Sequence, residues 1–137
     1  MYWNNYKPTI LVVEDFDDTR VMMRTLLEME GYRIVEASNG REAVEVAAAE
    51  HPNLVLMDLN LPEMDGLEAV RRIRGIETLC DVPIIAVTAH SPELCYNRAR
   101  SAGCNGLLTK PLDFDQLDEL VQAWIDRSQG QGVLQTA

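Results

Sequence analysis

Along the chain, short runs of consecutive apolar residues alternate with stretches where apolar positions recur every three or four residues. Five runs read as strands, at residues 9–13, 33–37, 54–57, 83–87 and 106–108. The first, third and fourth are apolar throughout, as expected of strands covered on both faces. The second interleaves Arg33 and Glu36 with its apolar positions and suits a sheet edge.

Helical patterns fill the gaps. In the first, Met22, Met23, Leu26 and Leu27 share a stripe that stops at Gly31. The second carries Ala43, Val44, Val46 and Ala47 and ends before His51-Pro52, with His51 expected at the cap. The third runs over 66–74 with Leu67, Val70 and Ile73 on one face. Ser91 and Pro92 suit the cap and first turn of the fourth. The fifth presents Phe114, Leu117, Leu120, Val121, Trp124 and Ile125, with Asp113 and Gln116 as a capping pair. Trp124 is expected in the core. Strands alternating with helices predict an α/β domain of parallel β-α-β units.

Composition narrows what such a domain does. At 137 residues there is room for one domain, placed at 7–127, with an extension at 1–6 and a tail at 128–137. Tyr2, Trp3 and Tyr6 in the extension read as a loosely packed terminus. A net charge of −10 repels a phosphate backbone, so direct nucleic-acid binding is not expected. No apolar run approaches a bilayer's thickness, and residues 1–8 lack an apolar signal core, so neither membrane insertion nor secretion is expected. Cys80, Cys95 and Cys104 form an odd set without metal-ligand spacing, which suits structural thiols in a reducing cytoplasm.

Sites in open parallel sheets form beyond the carboxyl ends of strands. Glu14, Asp15, Phe16, Asp17 and Asp18 follow the first strand; Asp58 follows the third, Thr88 the fourth and Lys110 the fifth. Asp17 and Asp18 are expected to cap the next helix. If the first and third strands are neighbours, Glu14, Asp15 and Asp58 converge. Two like charges at about 4 Å repel by about 4 kcal/mol at an effective dielectric near 20. Such a cluster raises its own pKa values, recruits a lysine or binds a divalent cation. Oxygen ligands with few carboxylates favour Mg²⁺. Metal, lysine and hydroxyl together can neutralise the equatorial oxygens of a phosphoryl group in transfer, and a carboxylate can itself be the acceptor.

With those residues in view, the chain resembles the receiver domain of two-component response regulators, the CheY-like family. The resemblance rests on Glu14-Asp15, the segment 57–66 (MDLNLPEMDG), Val87-Thr88-Ala89, and 108–111 (LTKP), and spans roughly 7–127. It implies a doubly wound, flavodoxin-like, five-stranded parallel sheet of order 2-1-3-4-5 with five helices. It implies that Asp58 is the phosphoacceptor, served by a partner histidine kinase or histidine phosphotransfer protein. Asp15 and Asp58 would bind Mg²⁺ by side chain, Glu14 through water and Asn60 by its backbone carbonyl. Thr88 would bond a phosphoryl oxygen, Lys110 would pair with it, and the bond from Lys110 to Pro111 would be cis. Gly66 would close the loop in a backbone conformation suited to glycine.

The family's switch commonly pairs the Thr88 position with an aromatic three residues before the lysine; here that residue is Leu107. The departure bears on the readout and leaves the phosphoryl chemistry alone. His90 stands where relatives tune dephosphorylation. The expected output is binding of a downstream protein, through the face of the fourth helix, fifth strand and fifth helix, or relay of the phosphoryl group. Such a protein is a signalling phosphoacceptor with self-catalysed transfer and dephosphorylation, not a conventional enzyme.

Other readings fit less well. An aspartyl-phosphate hydrolase of the haloacid-dehalogenase type needs a second aspartate two positions beyond its nucleophile, where Asn60 follows Asp58. An FMN carrier needs a neutral phosphate loop where four carboxylates stand. A pseudo-receiver that binds partners without phosphorylation would not require the set Asp15, Asp58, Thr88 and Lys110.

Overall fold

The computed structural model describes residues 7–134. The extension at 1–6, with Tyr2, Trp3 and Tyr6, lies outside the described residues. The elements run β1 (Thr9–Val13), α1 (Asp17–Met29), β2 (Arg33–Ala37), α2 (Gly40–Glu50), β3 (Leu54–Asp58) and α3 (Gly66–Arg74). A 3-10 turn (Glu77–Leu79) precedes β4 (Ile84–Thr88), α4 (Pro92–Ala102), β5 (Gly106–Thr109) and α5 (Phe114–Leu134).

The strands form one parallel sheet in the order β2-β1-β3-β4-β5. The unbroken apolar runs have a direct cause. In β1, Ile10 and Val12 face one core with Met23 and Leu27 of α1 and Leu117, Val121 and Ile125 of α5. Leu11 and Val13 face the other core, with Ala43 and Ala47 of α2, Val70 and Ile73 of α3, and Ala99 of α4. All five residues of β3 are buried. Each large aliphatic side chain so placed contributes about 1.5–3 kcal/mol over leaving it in water. The mixed strand, β2, is an edge.

Local signals set most helix ends. Asn39 accepts a hydrogen bond from the Glu42 N–H while Glu42 accepts from the Ser38 N–H, so both ends of the cap are satisfied. Asp65 caps α3 through the Glu68 N–H, and Asp113 accepts from the Asp115 and Gln116 N–H groups. His51 ends α2 in the left-handed region, at φ 49°.

Several expectations are corrected. Phe16, not an aspartate, occupies the cap of α1; Asp17 and Asp18 sit in its first turn, where they favour the positive end of the helix dipole. Met22 is exposed, because the stripe facing the sheet is Met23 and Leu27. Trp124 packs against the core between α1 and α5 as expected but stays half-buried, with the Arg127 guanidinium 4.7 Å from its ring centre. The α5 backbone runs on to Leu134, into the segment read as a tail. The strands of the site also reach further than their apolar runs. β3 includes Asp58, and β4 includes Thr88. Among the described residues, no helix is long and apolar enough to cross a membrane.

Candidate functional site

Strand order reverses between β1 and β3, which leaves a crevice at the carboxyl end of the sheet. Ladder pairing places the residues there. Val13 lies beside Met57 in the β1–β3 register, Asp58 pairs with Val87, and Thr88 pairs with Thr109. Glu14, Asp58, Thr88 and Lys110 therefore share one end of the sheet.

Glu14 and Asp58 are each only 2% exposed, and Thr88 is fully buried. Asp15 is exposed beside them. Glu14, Asp15 and Asp58 each offer a carboxylate oxygen, all within 4.8 Å of one another. Lys110 bridges two of them, with its Nζ 3.1 Å from Glu14 Oε1 and 3.2 Å from Asp58 Oδ2. The remaining carboxylate oxygens meet backbone donors. Asp58 Oδ1 accepts from the Asn60 N–H at 2.8 Å, and Glu14 Oε2 from the Phe16 N–H at 3.1 Å.

Burial pushes the Glu14 carboxyl above its ordinary value, aided by the Asp58 charge and opposed by the Phe16 N–H and Lys110. Burial alone would lower the Lys110 ammonium, but the Glu14 and Asp58 carboxylates outweigh it and raise its pKa. Three carboxylates against one ammonium leave two charges unbalanced, which matches a divalent ion. The donor set is all oxygen and hard, and suits Mg²⁺.

The surrounding loops are tied to the crevice. Asn60 is exposed, and its Oδ1 accepts from the Ala89 N–H, joining the loops after β3 and β4. Lys110 N–H donates to the Thr88 carbonyl at 2.8 Å, and the Lys110–Pro111 peptide is cis. Pro111 itself is exposed. Leu107 is half-buried, packed against the α2–α3–α4 core, and lines a groove of about 340 Å³ with Tyr96 and Arg100 of α4.

Gly66 corrects the expectation about its backbone. The left-handed residue of the loop is Glu63, at φ 65°, and Gly66 has no positive φ. A Cβ on Gly66 would instead collide with the Asp58 carbonyl oxygen and sit 2.7 Å from Leu59 Cα. The glycine is there for close approach of α3 to the acidic strand end.

One contact had no signal in the sequence. Cys95 of α4 places its Sγ 3.7 Å from Thr88 Oγ1, inside a cleft of about 150 Å³ shared with Asn60, Asp65, His90 and Arg98. Helical periodicity puts Cys95 on a face of α4, but only the packing of α4 against β4 says which strand end that face meets.

Residues 10–122 match the family model described as response regulator receiver domain. The polar-differentiation response regulator DivK of Brucella ovis is 33% identical over 117 residues, which cover 85% of this chain and 95% of that protein. Among solved structures, the receiver domain of a sensor histidine kinase from Pseudomonas aeruginosa PAO1 superposes with a TM-score of 0.82 at 35% identity. That match covers 88% of this chain and 99% of that one, whose structure has a magnesium ion coordinated in the active-site cleft. The chemotaxis response regulator CheY4 of Vibrio cholerae also gives 0.82, at 29% identity, covering 87% of this chain and 99% of that one.

Proposed function

The chain belongs to the response regulator receiver family of two-component signalling, and from that premise we propose that Asp58 accepts a phosphoryl group in a Mg²⁺-dependent reaction. The donor is phosphohistidine on a partner histidine kinase or histidine phosphotransfer protein. The observation that carries the reading is the convergence of Glu14, Asp15 and Asp58 with Lys110 seated between the two buried carboxylates.

In the transfer, an Asp58 oxygen attacks phosphorus, an O–P bond forms, and the N–P bond to the donor imidazole breaks. Asp15 and Asp58 would hold Mg²⁺ by side chain, Glu14 through water and Asn60 by its carbonyl. Bound there, the ion would supply positive charge for the phosphoryl oxygens. Lys110 supplies a second positive charge and Thr88 a hydroxyl donor. The phosphoryl group then carries about −1.5 to −2 charges in place of the single carboxylate charge of Asp58, which draws Thr88 inward, and Leu107 responds to the space it leaves. Hydrolysis of the acyl phosphate, tuned at His90, returns the domain to rest.

The output is a downstream protein, bound at the α4–β5–α5 face, or onward relay. The net charge of −10 argues against direct nucleic-acid binding, and the place of action is the cytoplasm.

Intact mass after incubation with a small phosphodonor, with and without Mg²⁺, tests the chemistry. Addition of one phosphoryl group that needs both Mg²⁺ and Asp58, with Asp58→Asn inert, is the expected result. Beryllium fluoride binding covers an acyl phosphate too short-lived to weigh. Neither mass gain nor fluoride binding would leave a phosphorylation-independent interaction domain.

A further inference from the structure

Thr88 is fully buried, so its hydroxyl must find its partners within the protein. A hydroxyl has one proton to give and two lone pairs to fill. The His90 N–H, at 3.1 Å, fills one lone pair. The other hydrogen-bond partner of this hydroxyl among the described residues is Cys95 Sγ. If the sulfur donated, the Thr88 proton would be buried with no acceptor, which is the costlier arrangement. The Thr88 O–H therefore points at the sulfur.

α4 depends on that contact more than its length suggests. Its buried residues are Ala99 and Ala102, both in the second half of the helix. In the first half, the Ser91 side chain makes no cap hydrogen bond, while Leu94 and Tyr96 are exposed. The bond between Cys95 and Thr88 is thus the polar tie between this half and the end of β4.

We infer that Cys95 is a positioning residue that holds the Thr88 hydroxyl in its resting orientation and transmits its release to α4. The inference rests on the phosphoacceptor reading of Asp58. A phosphoryl oxygen is charged and accepts far more strongly than a thiol sulfur. Thr88 has a single proton, so it serves one acceptor or the other. Binding a phosphoryl group at Asp58 turns the Thr88 O–H away from Cys95 Sγ and unties the first half of α4. Tyr96 is the next residue, and it faces the groove beside Leu107, where this chain lacks the aromatic.

The test is a beryllium fluoride titration at saturating Mg²⁺ on the full chain. Cys95→Ala removes a bond made only at rest, so fluoride should bind about 2- to 5-fold tighter. Cys95→Ser, which restores a polar partner, should return affinity toward wild type. In a Thr88→Ala background, Cys95→Ala should have no effect, because the coupling needs the hydroxyl. Amide exchange in the first half of α4 should rise in Cys95→Ala without fluoride, and to a similar degree in wild type with fluoride. Cys95→Val, apolar and of similar size, should repeat the shift if the alanine variant folds poorly. Wild-type fluoride binding with unchanged affinity in both apolar variants would overturn the inference alone, as would an equal shift in the Thr88→Ala background. A wild type that binds no fluoride would overturn the Asp58 reading and this inference with it.

Discussion

Lys110 Nζ lies 3.2 Å from Asp58 Oδ2, joining side chains 52 positions apart, and the same ammonium reaches Glu14. Lys110 therefore offsets one of the three carboxylate charges and leaves the other two for a divalent cation.

Replacing it tests that balance. In Lys110→Met, two nearly buried carboxylates lose their ammonium, at a cost of about 1–2 kcal/mol given the lysine's partial exposure. The Glu14 carboxyl, already raised by burial and the Asp58 charge, loses the opposing pull of Lys110, so the folded chain holds its proton more tightly than the unfolded chain does. Stability relative to wild type should fall as pH rises from the ordinary carboxylate range toward neutrality. Mg²⁺ should raise the thermal midpoint of the variant more than that of wild type. Thermal melts at pH 5 and pH 7.5, with Mg²⁺ and with chelator, read both effects; identical Mg²⁺ responses would refute that charge balance.

Gly66→Ala should destabilise the domain by about 2–4 kcal/mol, because its Cβ meets backbone rather than a movable side chain. It should also weaken fluoride binding, since the atom displaced is the Asp58 carbonyl oxygen. Gly75→Ala is the control. Its Cβ would come no closer than 3.4 Å to Arg72 O, with no positive φ, so urea melts should show a change within about 0.5–1 kcal/mol.

Leu107→Ala should alter partner binding while sparing phosphorylation. Leu107 lines the groove against α4 and packs on the α2–α3–α4 core, so its loss should leave mass gain at Asp58 unchanged. Pull-down or calorimetry with the cognate target reads the other half. Lost phosphorylation in this variant would refute the separation.

Arg74 joins the end of α3 to the segment before β4 and to the loop after α4. Its guanidinium donates to the carbonyls of Gly103, Leu79 and Val82 and to Asn105 Oδ1, which in turn accepts from the Ile84 N–H. Arg74→Met should cost about 2–4 kcal/mol by leaving several carbonyls unpaired, with Mg²⁺-dependent fluoride binding retained in the folded fraction. Denaturant melts and fluoride titration decide it; loss within about 0.5 kcal/mol would show water replacing the guanidinium.

Thiol labelling should separate the cysteines. Burial pushes the Cys104 thiol up to about 11, against the pull of Arg74. At pH 8 only about one thiol in a thousand is then thiolate, and labelling should rise about tenfold per pH unit toward 11. Exposed Cys80 should react first. Peptide mapping after brief alkylation reads the order, and early modification of Cys104 would contradict its burial.

Much of this protein was legible in its residues because the relevant physics is local or periodic. Unbroken apolar runs at 10–13 and 54–57 mark strands covered twice, and both proved central with a core on each face. The acidic segment after β1, with Asp58, Thr88 and Lys110 at the ends of later strands, marks the candidate site, because a parallel sheet brings those ends together. Other features depend on distance in space. Met22 and Met23 are adjacent and chemically alike, and only the rotation of α1 against β1 decides which is buried. Gly66 reads as a turn glycine in sequence, whereas its lack of a side chain serves the approach of α3 to Asp58. Arg74 looks like one more surface charge beside Arg71 and Arg72, until folding surrounds it with carbonyls from two other segments. Cys95 meets Thr88 for the same reason. Periodicity assigns a residue to a face, and packing alone assigns that face a neighbour.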